Sequence, residues 1–191
     1  INWALKGVYF SQRDKGNHII SVKTEHHATL HTLDFLEKMG ARVTYLDVNE
    51  EGAIDLVSLK EAMGSETILV SIMAANNEIG TMMPLKEIGC LCKEKGIIFH
   101  TDAVQAIGAM NIDVEEMHID FLSASAHKFH GPKGIGFLYA RSGIVFENLI
   151  HGGNQERGRR SGTENVAGIV GMGKALEILM AEMDDKNEKL K

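Results

Sequence analysis

The sequence predicts an α/β fold: a mostly parallel, mixed sheet flanked by helices. Short β-branched apolar runs alternate with stretches of helical spacing along nearly the whole chain. Two titratable residues, Asp102 and Lys128, stand at the ends of such runs, where chemistry gathers in open α/β sheets. No internal repeat, low-complexity tract or clear linker interrupts the alternation.

The elements follow in order. Ile1 to Gly7 has the spacing of a helix interior. His18–Lys23 and Arg42–Leu46 are strand-like, with a helical stretch from Ala28 to Met39 between them. Asp55 to Met63 is helical and starts on a capping acid. Thr67–Met73 is a β-rich apolar run. Pro84 opens a helix at its first turn, where a missing N–H costs nothing, and Gly96 closes it. Ile97–Thr101 is a strand. Ile119–Ser125 and Gly134–Tyr139 are short strands on either side of Lys128. A helix from Asn165 to Lys189 runs to the end.

Composition narrows the function. With 191 residues the chain is long enough for one domain with a sizeable core. A net charge of −6 argues against a nucleic-acid surface, and Arg157-Gly158-Arg159-Arg160 is too short a basic patch to reverse that. No apolar run approaches membrane-spanning length, and no signal segment opens the chain. Two cysteines without a disulfide framework fit a reducing, cytoplasmic setting.

Lys128 is the most informative residue. It follows Ser125-Ala126-His127 and precedes a Gly/Pro turn, between two apolar runs. Such a lysine either reaches water along its stem or lies in a cleft with its amine lowered, ready to form a Schiff base. Asp102 ends the neighbouring run in His100-Thr101-Asp102-Ala103-Val104-Gln105. It could cap a following helix. Paired with Lys128, it meets the needs of pyridoxal 5'-phosphate: an amine for the aldehyde and an acid for the ring nitrogen.

The ordered segments Thr24-Glu25-His26-His27-Ala28, Ala75-Asn76-Asn77-Glu78-Ile79-Gly80, His100 to Gln105, Ser125 to Lys128, Gly131-Pro132-Lys133-Gly134-Ile135-Gly136 and Arg160-Ser161-Gly162-Thr163-Glu164-Asn165 resemble the motif series of NifS/IscS-type cysteine desulfurases. These are class V aminotransferase-like enzymes of fold type I. The resemblance implies a partial cofactor-binding large domain over 1–164. Residues 165–191 would lead toward a small domain outside this chain. It further implies a phosphate-cradling Gly/Thr-rich loop before Ile1 and a mobile loop bearing the catalytic cysteine after Lys191.

The resemblance also implies roles. Lys128 is the imine-forming lysine and a base near the substrate Cα. His26 stacks over the ring and moves protons, work that suits an imidazole. Asn77 and Gln105 bond the ring hydroxyl, Asp102 the ring nitrogen, and Ser125 and His127 the phosphate. Thr163 reaches the phosphate of a neighbouring subunit, which implies a homodimer. The reaction implied is L-cysteine to L-alanine, with sulfur passed as a persulfide toward an iron–sulfur scaffold, another sulfur acceptor or tRNA thiolation. Other class V enzymes (an aminotransferase, a selenocysteine lyase, a kynureninase-like lyase) would share Asp102 and Lys128. A structural or dimerising fragment is a further alternative.

Other features read as structure. The 131–136 turn lacks the Gly-Lys-Ser/Thr ending of a phosphate loop and opens no helix. His27 and His31 have the spacing of half a metal site, with no third ligand placed. Cys90 and Cys92 point to different faces of one helix, with no basic neighbour to make a thiolate. The ten methionines have core-like spacing.

Overall fold

The computed structural model describes residues 1–190; Lys191, where the second expected segment ends, lies outside them. The strands are β1 (His18–Val22), β2 (Arg42–Leu46), β3 (Thr67–Ser71), β4 (Ile98–Asp102), β5 (Phe121–Ser125) and β6 (Gly136–Ala140). They form one sheet in the order β2-β1-β3-β4-β5-β6. Every pair is parallel except β5 with β6. The helices are α1 (Asn2–Ser11), α2 (His27–Lys38), α3 (Leu56–Ala62), α4 (Leu85–Lys95) and α5 (Val166–Leu190). The expected mixed sheet is therefore observed, with element ends displaced by a residue or two, except that the first helix runs on from Gly7 to Ser11.

Alternation along the strands builds two cores. Ile20, Val22, Val70, Ile72, Phe99 and Leu122 face one side with α3 and α4. Ile19, Leu69 and Phe121 face the other, against Leu5 and Val8 of α1 and Leu33 and Leu36 of α2. A parallel sheet covered on both faces must be apolar on both, and β1 and β3 are buried at every position.

Local signals explain the helix ends. The Asp55 carboxylate accepts the Val57 and Ser58 N–H groups and starts α3. Pro84 is the cap of α4 rather than its first helical residue, and Gly96 ends it in the left-handed region at φ 66°. The connection from β4 to β5, residues 103–120, contains no α-helix; turns replace it. Arg141 fastens that crossover by donating to the Asp120 and Glu115 carboxylates and to the Val114 and Ile119 carbonyls.

The segment after β5 is a short 3-10 turn, Ala126–Phe129, that carries Lys128. Its anchor is Phe129, only 1% exposed, packed with Ala126 and Leu179. Met172, Ala175 and Leu176 of α5 close the same cluster. Gly171 lets the helix approach: a Cβ there would lie 2.7 Å from Pro132 Cγ. Phe129→Ala should destabilise the fold by about 3–5 kcal/mol, the usual cost of emptying a buried aromatic site. Urea denaturation of the purified protein measures it.

Candidate active site

Strand order reverses between β1 and β3: the chain leaves β1 toward β2 on one side and leaves β3 toward β4 on the other. A crevice opens at the carboxyl end of the sheet where such a reversal occurs. The segments after β1, β3, β4 and β5 all surround it. Seven of the eight nominated residues lie on these segments or on the last strand residue before them: His26, Asn77, Asp102, Gln105, Ser125, His127 and Lys128. Thr163 lies elsewhere, exposed in the loop before α5.

The sheet face toward α1 and α2 changes character as it approaches this end. Ile19, Leu69 and Phe121 form a dry layer. Two residues on, parity places Ser21, Ser71, His100 and Ser123 on the same face, all buried. His100 Nδ1 lies 2.8 Å from Ser71 Oγ and its Nε2 2.9 Å from Ser123 Oγ. A neutral imidazole satisfies both hydroxyls, donating to one and accepting from the other. Burial holds His100 well below the ordinary imidazole range, so it stays neutral.

Asp102 lies above that layer, two residues further along β4. It is 5% exposed, and its register partner is Ser123. Its Oδ1 accepts the Val104 N–H at 2.9 Å, so it caps a turn; no helix follows. Burial raises its carboxyl, and the Val104 N–H and His26 pull it back.

Ser125 ends β5 on the same face. Its Oγ lies 2.8 Å from His127 Nδ1, which couples two of the nominated residues. Lys128 is exposed on the 3-10 turn, and no enclosed cleft surrounds it among the described residues. His26 is the N-cap of α2, its Nδ1 accepting the Ala28 N–H at 3.1 Å. That bond orients the exposed ring. Asn77 is exposed and Gln105 half-buried at the rim.

Glu25 escaped notice in the sequence. It is 5% exposed, its Oε1 accepts the Met73 N–H at 2.5 Å, and the Thr29 hydroxyl also faces its carboxyl. Burial pushes its carboxyl up to about 8; the Met73 N–H opposes this and the Asp102 charge adds to it. Asn76, named above only within its motif segment, is buried and fully bonded. An acid directly before a capping histidine, and a doubled asparagine after an apolar run, were the available signals.

The remaining candidates fall outside the crevice. Cys90 is exposed and Cys92 buried on α4, and burial pushes the Cys92 thiol up, away from thiolate character. The His27 and His31 rings are 5.2 Å apart, and no group of three metal-ligating side chains occurs among the described residues. No helix among them is long and apolar enough to cross a membrane.

Residues 1–191 match the family described as aminotransferase class-V. The chain belongs to that family. Its relatives are cysteine desulfurases of the NifS/IscS type. It is 63% identical over 189 residues to a cysteine desulfurase IscS of Clostridium botulinum, covering 99% of this chain and 48% of that protein. It is 57% identical to that of Methanosarcina thermophila, over 99% and 47%. Among solved structures, a NifS-like protein superposes with a TM-score of 0.93 at 45% identity, covering 96% of this chain and 51% of that one. A structure described as SspA in complex with cysteine gives 0.89 at 44% identity, over 92% and 51%. The chain thus spans about half the length of the curated relatives it matches.

The raised carboxyl of Glu25 predicts a pH-dependent stability. In the unfolded chain Glu25 loses its proton near the usual carboxylate value, in the fold only near pH 8. The folded state therefore binds the extra proton in between, and stability falls as pH rises from about 4.5 to about 8. Glu25→Gln should remove that loss. The variant should exceed the parent in stability by a few kcal/mol, on the order expected from linkage, at pH 8, and by little at pH 4.5. Denaturant midpoints at the two pH values test this.

Proposed function

We propose that this chain supplies the cofactor-holding part of a pyridoxal-5'-phosphate-dependent cysteine desulfurase. The observation that supports the reading is that a buried carboxyl, Asp102, ends β4 and a lysine, Lys128, sits on the turn that follows the neighbouring parallel strand β5. The donor set fits the cofactor. Asp102 offers an acceptor for a pyridinium N–H, and its side chain is shielded from water. Ser125 and His127 offer paired donors for a phosphate, and Asn77 and Gln105 offer uncharged amides for a ring hydroxyl.

When bound, the cofactor supplies an electron sink for charge developing at the substrate Cα. The chain's own residues do the rest. Lys128 would hold the cofactor through its amine and would take and return a proton at the substrate Cα. Asp102 would accept from the ring nitrogen and favour its protonated form. His26, held by its Ala28 bond, would lie against the ring and move protons. Thr163 serves the phosphate of a second subunit, so the working form is a homodimer. Residues 1–164 belong to the large domain, and the helix that follows leads out of it.

The substrate is L-cysteine. The net reaction is L-cysteine plus an enzyme thiol giving L-alanine plus an enzyme persulfide. The thiol comes from outside this chain, because Cys92 is buried and neither Cys90 nor Cys92 lies at the crevice. The persulfide then serves an iron–sulfur scaffold or another acceptor in the cytoplasm. The relatives' printed names and the cysteine described in one of the solved structures support this choice of substrate.

Two substitutions in the intact protein test the reading. Lys128→Ala should abolish the absorption band at the edge of the visible that the added cofactor acquires. Asp102→Asn should retain the band but slow alanine formation by about 100-fold or more, the scale of losing one preorganised electrostatic contact. A band that persists in Lys128→Ala, measured by spectrophotometry, would refute the assignment.

A further inference from the structure

The two sides of β3 are held differently at the crevice. Toward β4 the backbone ladder continues to the site, with Ile72 N–H donating to His100 O at 3.1 Å and Ala74 N–H to Asp102 O at 2.8 Å. Toward β1 the register ends at Ile20 with Val70. Beyond that point the two chains diverge into opposite crossovers, and backbone groups no longer meet. Side chains bridge the gap instead. Ser21 Oγ donates to Ser71 O at 2.8 Å. Glu25 Oε1 accepts from Met73 N–H, and Asn76 Nδ2 donates back to Thr24 O at 2.9 Å.

We propose that Glu25 and Asn76 are paired positioning residues, crossed bridges that stand in for the missing ladder and set the spacing between His26 and Asn77 across the crevice. Each bridge immediately precedes a residue assigned to the cofactor: Glu25 precedes His26, and Asn76 precedes Asn77. Asn76 is committed to this task. Its Nδ2 serves Thr24, and its Oδ1 accepts the Glu78 and Ile79 N–H groups at 2.9 and 3.0 Å. That leaves the exposed Asn77 as the asparagine able to meet a ligand. Glu25 lies below the rim, 5% exposed, with Met73 N–H as its hydrogen-bond partner. It acts as an acceptor in shape rather than as a charge, so an amide can replace it. The inference rests on the cofactor reading above.

The test uses the intact protein and pyridoxal phosphate. Glu25→Met keeps the side-chain volume and removes the acceptor; Glu25→Gln keeps an acceptor oxygen. Glu25→Met should weaken cofactor affinity about tenfold, the scale for losing a supporting contact behind a ligand. It should also diminish the induced circular dichroism of the bound cofactor and speed deuterium exchange at the Met73 amide. Glu25→Gln should stay within about threefold of the parent in affinity, with the Met73 amide still protected. Asn76→Asp keeps the acceptors for Glu78 and Ile79 and loses the donor to Thr24; it should move in the same direction as Glu25→Met. If Glu25→Met fails to fold, Asn76→Asp and Glu25→Gln decide the matter. Parental affinity and dichroism in Glu25→Met or Asn76→Asp would overturn the proposal. So would a Glu25→Gln variant as impaired as Glu25→Met. A band lost in Lys128→Ala alongside these results separates failure of this inference from failure of the cofactor reading.

Discussion

The site depends on the parallel ladder that joins β1, β3, β4 and β5. Parallel strands present their carboxyl ends on one edge, so residues distant in sequence meet without any direct contact being required of them. The period of two then selects the face. His100 and Asp102 point to one side of β4, and Ser123 and Ser125 to the same side of β5. One slip in register would send Asp102 to the opposite core. Such a slip is costly, because it would turn His100 and Asp102 into the apolar layer around Val70, Phe99 and Leu122.

Electrostatics in the crevice are governed by burial. Glu25 and Asp102 are two acids in a space that disfavours two negative charges, and burial raises both. Glu25, its carboxyl pushed up to about 8, keeps its proton through neutrality. The Asp102 carboxyl is raised by burial as well, with the Val104 N–H and the His26 charge opposing it. His100 adds no charge, since both its nitrogens face serine hydroxyls and burial keeps it neutral.

Much of this was legible in the sequence because it rests on short-range pattern. Asp55 and Gly96 mark helix ends, and the apolar runs mark strands. The strand-end positions of Asp102 and Lys128, with the motif series around them, were enough to nominate the crevice. What escaped depends on long-range geometry. Nothing in Thr24-Glu25-His26 shows that Glu25 will be buried beside Met73 while His26 faces outward; that follows from the divergence of β1 and β3. Pairing of His100 with serines on two different strands is likewise a product of register. The exposure of Lys128 follows from its 3-10 turn, whose left-handed exit at His130 (φ 64°) no local signal announced.

The central claim is that one lysine, carried on a turn anchored by Phe129, grips the cofactor whose ring nitrogen Asp102 holds. Borohydride reduction of the cofactor-loaded intact protein, followed by peptide mass mapping, tests it most directly. The account predicts a reduced pyridoxyl adduct on Lys128, absent from the nearby Lys133. An adduct on Lys133 or on any other lysine, with Lys128 unmodified, would contradict it.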